Sequence, residues 1–211
     1  MSDTPIQRVA LAMTGASGAQ YGLRLLECLL GAGVEVALML SKPAQLVIGM
    51  ETDLKLPGRT ADIERFFAER HGARPGQLRV YDREQWTAPV ASGSSFPQAM
   101  VVCPCTTATL SAIACGSSRN LIERAADVCL KERRRLILVV RETPFSEIHL
   151  ENMLRLSRMG AVVMPANPGF YHRPVDVQGL VDFMVARMLD HLGLEQRLIP
   201  RWGDRPLETD E

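Results

Sequence analysis

The chain has 211 residues, enough for one α/β domain with a substantial core. Apolar residues make up 46% and charged residues 23%, and 24 basic side chains balance 24 acidic ones. A formal charge of zero provides no long-range field for nucleic acid or an anionic membrane, so neither is expected as a partner and the basic residues that matter should act inside a pocket.

Arg8 and the apolar run Val9–Met13 resemble the start of an export signal, but Asp3 precedes them and Thr14-Gly15 interrupts the run. A strand is expected there, and no apolar stretch approaches the ~20 residues of a membrane span. The cysteines Cys28, Cys103, Cys105, Cys115 and Cys129 are odd in number and include no C-x-x-C pair. A reducing, cytoplasmic setting is expected rather than a disulfide framework. Cys103-Pro104-Cys105 suggests a metal, but His71, His149, His172 and His191 are scattered singly, and no metal site is expected.

Val9–Met13 is a short continuous apolar run of the kind buried on both faces of a parallel sheet. Thr14-Gly-Ala-Ser-Gly18 follows, and Leu25, Leu26, Leu29 and Leu30 then recur at helical spacing until Gly31 and Gly33 stop the helix. Val34–Leu40 predicts a second strand, completing a βαβ unit for which a right-handed crossover is expected. Helices are expected over Pro43–Met50 and Ala61–Arg70, and a short strand over Leu78–Tyr81. Ala88–Pro97, rich in Ser, Gly and Pro, reads as a loop. Ala99–Cys103 predicts a strand and Thr106–Cys115 a small-residue helix; Asn120 opens another, with Glu123 as its capping-box partner.

Leu136–Val140 is a strongly apolar strand. Thr143-Pro144 predicts the N-cap and first position of a helix ending near Met159. Ala161–Met164 is the last strand and Val177–Leu192 the closing helix. This alternation predicts a three-layer, doubly wound parallel sheet, flavodoxin-like or Rossmann-like, in one domain over residues 1–192. Residues 193–211 are expected to form a tail or an arm on a neighbouring subunit; Pro200–Glu211 lacks periodicity.

Ligands of open parallel sheets bind beyond the carboxyl ends of the strands. Gly15–Gly18, Ser41-Lys42, Pro104–Thr109 and Arg141-Glu142 all follow predicted strands, and so outline a pocket. The glycine turn lets a phosphate or ring approach the backbone and offers helix N-terminal amides to an anion; a plain tight turn is the alternative. Thr106, Thr107 and Thr109 place hydroxyls at a second helix start, for a ligand or for ordinary capping. Arg124 and Lys131 lie seven residues apart on one helix side, a solvated face or an anion site. Arg141 ends a buried strand, where phosphate binding explains a charge better than solvation does; Glu142 could hold it or move protons. Pro165-Ala-Asn-Pro-Gly-Phe-Tyr-His-Arg-Pro174 is a rigid loop with two aromatics and an arginine, a lid or a packed surface.

Together these segments resemble the UbiX-type flavin prenyltransferases. The resemblance covers Val9–Leu192, and its most specific stretch is Asn120-Leu-Ile-Glu-Arg-Ala-Ala-Asp-Val-Cys-Leu-Lys-Glu-Arg133, followed by Arg-Glu-Thr-Pro at Arg141–Pro144. The resemblance implies a flavodoxin-like fold, a homododecamer with sites shared between subunits, and a role linked to ubiquinone biosynthesis. It implies transfer of a dimethylallyl group from dimethylallyl monophosphate to N5 and then C6 of reduced FMN, without a metal. The prenylated FMN would serve a separate UbiD-type decarboxylase.

Carried over residue by residue, Gly15, Ala16, Ser17, Ser41, Thr106, Thr107, Ala108, Thr109 and Arg141 would hold FMN. Lys131, Tyr171 and Arg187 would bind the prenyl phosphate with Arg124 nearby, and Trp86 would wall the prenyl group. Ser17, Glu51 and Glu142 would handle protons, with Lys131 assisting the leaving phosphate. The chain departs from the family pattern at Asn167 and Gly169, where Met and Ala are usual, and at Pro104-Cys-Thr-Thr, where Cys-Ser-Met is usual. A flavin-dependent decarboxylase of a cysteine-derived thiol is a competing reading, but those enzymes use a histidine where Glu51 stands and a Pro-x-Met-Asn loop. Direct decarboxylation of an aromatic acid has no dedicated residue here. A non-catalytic flavin-binding subunit would not need Lys131, Glu142 and Arg187 together.

Overall fold

A computed structural model describes residues 5–201 and 203. Strands β1 (Arg8–Met13), β2 (Glu35–Leu40), β3 (Leu78–Tyr81), β4 (Ala99–Cys105), β5 (Arg135–Val140) and β6 (Val162–Pro165) form one sheet. Every pairing is parallel and the order is β3-β2-β1-β4-β5-β6. The chain therefore winds outward from β1 in one direction, then returns to start again at β4. Of the two doubly wound arrangements expected, this strand order is the Rossmann-like one, and its topological switch lies between β1 and β4.

The helices are α1 (Ala19–Gly31), α2 (Lys42–Glu51), α3 (Thr60–His71), α4 (Thr107–Ala114), α5 (Leu121–Lys131), α6 (Glu147–Arg158) and α7 (Val177–Leu192). Strand alternation divides the core in two. Val9, Leu11 and Met13 join buried residues of α1, α2, α3 and α7 in one cluster, while Ala10 and Ala12 join those of α4, α5 and α6 in the other. Leu25, Leu26 and Leu29 of α1 are wholly buried, each contributing about 1.5–3 kcal/mol of apolar burial. Gly22 sets how closely α1 lies on β4, because an added Cβ would stand 2.3 Å from the Cys103 carbonyl oxygen. Arg24 of α1 donates from Nε to Asp182 of α7 at 2.8 Å, tying the two helices across the same face.

Element type agrees with the sequence throughout, and the corrections fall at ends and caps. β4 runs on to Cys105, with a register irregularity against β5 between Val102 and Cys105, which accommodates Pro104 inside a strand. α6 starts later than Thr143-Pro144 predicts: Ser146 is its N-cap. The Ser146 hydroxyl accepts from the His149 N–H and His149 Nδ1 accepts from the Ser146 N–H, a capping box with histidine in the usual Glu position. At α5, Asn120 is the N-cap as expected, accepting from the Glu123 N–H at 3.0 Å. The Glu123 carboxylate does not close a box on Asn120; it accepts from the Arg119 N–H and the Asn120 amide, both at 2.9 Å. The Ala88–Pro97 loop contains a single 3₁₀ turn, Pro89–Ala91.

Of the expected tail or arm, Leu194 and Leu198 pack against the α1/α7 core and Ile199 is buried; 202 and 204–211 lie outside the described residues. Among the described residues, no helix is long and apolar enough to cross a membrane.

Candidate active site

The four segments picked out by the strand-end rule are adjacent. The Ser41 N–H donates to the Met13 carbonyl at 3.1 Å, joining the ends of β1 and β2. Across the switch, the Thr14 N–H donates to the Pro104 carbonyl at 3.1 Å and the Thr14 hydroxyl to the same oxygen at 2.7 Å. The Thr106 N–H donates to the Thr14 hydroxyl at 2.8 Å, and the Arg141 N–H to the Cys105 carbonyl at 3.3 Å. Buried Thr14 thus fastens the glycine turn to the start of α4.

The last residue of α2 reaches into this crevice. Glu51 Oε2 accepts from the backbone N–H groups of Gly18 and Ala19, each at 2.9 Å, and the Ser17 side chain lies near enough to favour the charged carboxylate. Burial pushes the carboxyl pKa up, but Ser17, the two amides and the nearby Arg141 charge outweigh it, holding Glu51 below the ordinary carboxylate range. Two amides at the α1 start, those of Gly18 and Ala19, are thus met by the protein's own carboxylate, whose charge also suits the positive end of the helix dipole. Gly15 likewise has an internal reason, since an added Cβ would lie 2.3 Å from Pro43 Cβ at the start of α2. Ala16 beside it is buried.

The expected hydroxyls act first as caps. Ser41 accepts from the Ala44 N–H at 3.1 Å, and Thr106 from the Thr109 N–H at 3.1 Å. The Thr106 and Thr109 hydroxyls bond each other at 2.9 Å, and Thr107 and Ala108 lie at the open start of α4. Arg141 differs: its guanidinium Nε is buried without a hydrogen-bond acceptor. Such donors are rare in folded proteins and mark the place of an acceptor. Among the described residues, no ion pair links Arg141 to Glu142, whose Oε1 accepts from the Thr143 N–H at 3.0 Å. Glu142 therefore does not hold Arg141, and its second oxygen is available at the crevice edge.

The chain does not bring its other predicted cations to this crevice. Lys131 ends α5, four residues before β5 begins, so it lies at the amino edge of the sheet. The crevice is a strand length away, about 20 Å for the six residues of β5. Arg124 is also directed away from it, donating to the Ala91 carbonyl at 3.2 Å and to Asp127 at 3.0 Å. Arg187 is on α7, on the opposite sheet face, and donates to Asp190 at 3.0 Å. Tyr171 folds down onto α7, its ring centroid 5.6 Å from that of Phe183. His172 stacks on Phe183 at 5.3 Å. Trp86 is exposed beyond β3.

The departure at Gly169 belongs to this aromatic group: an added Cβ would sit 2.9 Å from Phe183 Cζ and 3.3 Å from Tyr171 Cε1. Sequence reasoning missed the carboxylates beside each cation, Asp127, Glu132 and Asp190. The i,i+3 spacing of Arg124/Asp127 and Arg187/Asp190 was the available signal.

A doubly wound parallel sheet whose switch-point crevice joins a glycine turn, two capped helix starts and an unmet arginine donor defines an α/β protein built for a flavin or a related phosphate-bearing ligand. The family model described as Flavoprotein matches residues 2–189. The chain is 60% identical over 205 residues to the flavin prenyltransferase UbiX of Pseudomonas aeruginosa, spanning 97% of this chain and 98% of that protein. Among solved structures it resembles AnUbiX in complex with FMN and dimethylallyl pyrophosphate, with a TM-score of 0.84 and 42% identity, covering 95% of this chain and 100% of that one. It also resembles a dodecameric FMN-dependent UbiX-like decarboxylase from Escherichia coli O157:H7, with a TM-score of 0.80 and 41% identity over 92% of this chain and 98% of that one. The chain belongs to the UbiX family of flavin prenyltransferases.

Proposed function

We propose that this protein transfers a dimethylallyl group from dimethylallyl monophosphate to N5 and C6 of reduced FMN, releasing prenylated FMN for a UbiD-type decarboxylase. In a chain of this family, the observation that carries the reading is the buried Arg141 Nε without an acceptor, beside the ionised Glu51–Ser17 pair at the switch point. That set fits FMN: one unmet donor for an electron-rich oxygen, and a carboxylate–hydroxyl pair able to hold or pass a proton. Gly15, Ala16, Ser17, Ser41, Thr106, Thr107, Ala108, Thr109 and Arg141 hold the flavin. When bound, reduced FMN supplies the nucleophilic nitrogen and ring carbon that take up the allyl unit.

The Ser17 hydroxyl lies beside the Glu51 carboxylate, so a proton taken by the hydroxyl passes to the carboxylate. Glu142 handles protons from the other side of the crevice. Breaking the allylic C–O bond builds negative charge on phosphate, which Lys131, Arg124 and Arg187 neutralise. Trp86 walls the developing allyl cation, and Tyr171 orients the phosphate. α5 and α7 cover opposite sheet faces and Lys131 lies at the amino edge, so this reading brings these groups together between the subunits of a homododecamer. Residues 1–192 make up the flavin-binding domain, and the enzyme works in the cytoplasm.

Incubation with reduced FMN and dimethylallyl monophosphate is expected to yield a flavin heavier by one C₅H₈ unit, read by mass spectrometry. Lys131→Ala and Glu142→Gln are expected to abolish that product while FMN still binds. An unchanged flavin mass with the wild-type protein, or carbon dioxide released from an added acid without a partner enzyme, would refute the assignment.

A further inference from the structure

A cavity of about 370 Å³ opens between the loop after β6, the second half of α7 and the segment 196–201; Tyr171, Arg187, Asp190 and Arg201 are on its wall. Asp190 organises its charges. One carboxylate oxygen accepts from Arg187 Nη1 at 3.0 Å, and the other from Arg201 Nη2 at 3.3 Å. The acid is the most sheltered of the three, with its side chain 19% exposed against 48% for Arg187 and 68% for Arg201. A sheltered carboxylate is screened less and orients its partners more firmly than a fully solvated one. Arg187 uses a single nitrogen on it, which leaves the rest of the guanidinium fork for an anion in the cavity. The second guanidinium comes from the segment that follows α7, so Asp190 couples that segment to the helix.

We propose that Asp190 is a positioning residue for the donor: it fixes the Arg187 guanidinium and holds Arg201 beside it, so that both face one phosphate. This rests on the reading of Arg187 as a donor-phosphate ligand. The test measures prenylation by the assembled, FMN-loaded enzyme against dimethylallyl monophosphate for Asp190→Asn, Asp190→Glu, Arg187→Ala, Arg201→Ala and the double variant Arg187→Ala/Asp190→Asn.

Asp190→Asn is expected to raise KM about tenfold, the value of one charge-assisted hydrogen bond, with kcat changed less than about twofold. FMN affinity, read by flavin fluorescence, stays at the wild-type value, and Asp190→Glu restores most of the KM. In the Arg187→Ala background the Asp190→Asn change adds nothing further, since its effect acts through Arg187. Arg201→Ala raises KM severalfold, which keeps the idea testable should Asp190→Asn fail to assemble. A raised KM for Arg187→Ala alongside a wild-type KM for Asp190→Asn, or additive effects in the double variant, would overturn the positioning role alone. A wild-type KM for Arg187→Ala would overturn the reading of Arg187 beneath it.

Discussion

Replacing Glu51 with Gln keeps the side chain's shape and one acceptor oxygen but removes the charge that the α1 terminus, Ser17 and Arg141 all favour. The carboxylate accepts two backbone N–H bonds at 2.9 Å, with the Ser17 side chain beside it. A hydrogen bond to a charged group is worth roughly 1.5–3 kcal/mol net against roughly 1 for a neutral one, and the charge at a helix start adds about 0.3–1. Glu51 is half-buried, so solvent screening reduces these increments, and about 1–2 kcal/mol is the expected loss. For a chain of this size that lowers Tm by about 3–6 °C at pH near 7.

The pH dependence fixes the cause. Glu51 has a folded pKa below its unfolded one, so its contribution is present above the ordinary carboxylate value of about 4.3 and is lost as pH falls through the folded value. The gap between wild type and Glu51→Gln, followed by circular dichroism melting at about pH 7 and about pH 3.5, should therefore narrow at the lower pH. A gap of the same size at both pH values would show that shape rather than charge is responsible, and no gap at neutral pH would refute the capping role.

The remaining predictions concern packing and assembly. Gly22→Ala is expected to destabilise by about 1–3 kcal/mol, because its Cβ meets the Cys103 carbonyl, whereas Gly31→Ala near the end of the same helix meets nothing within 4 Å and should be neutral or slightly stabilising in the same melting assay. If Lys131 and Arg187 reach one site from different subunits, Lys131→Ala and Arg187→Ala subunits are each impaired alone, yet random co-assembly in equal amounts recovers about a quarter of wild-type activity, half the sites supplying each intact residue. Recovery of none would place both side chains on one subunit.

The residues that fit the fold and the residues that fit the ligand were legible to different depths. Periodicity is local, so every strand and helix, and the carboxyl-edge segments Gly15–Gly18, Ser41, Thr106–Thr109 and Arg141, could be placed from the sequence with errors confined to ends such as Ser146 against Thr143. The family resemblance added chemistry to those positions. Tertiary structure alone decided that Glu51, 33 residues along the chain from Gly18, meets amides at the α1 start. It also decided that Arg141 is left with a buried unmet donor, and that Lys131 and Arg187 lie on opposite faces of one sheet. The physical reason is range. Helix and strand propensity is settled within a turn or two of chain, whereas the partner of an orphan amide or a buried charge is whichever group packing delivers from far away.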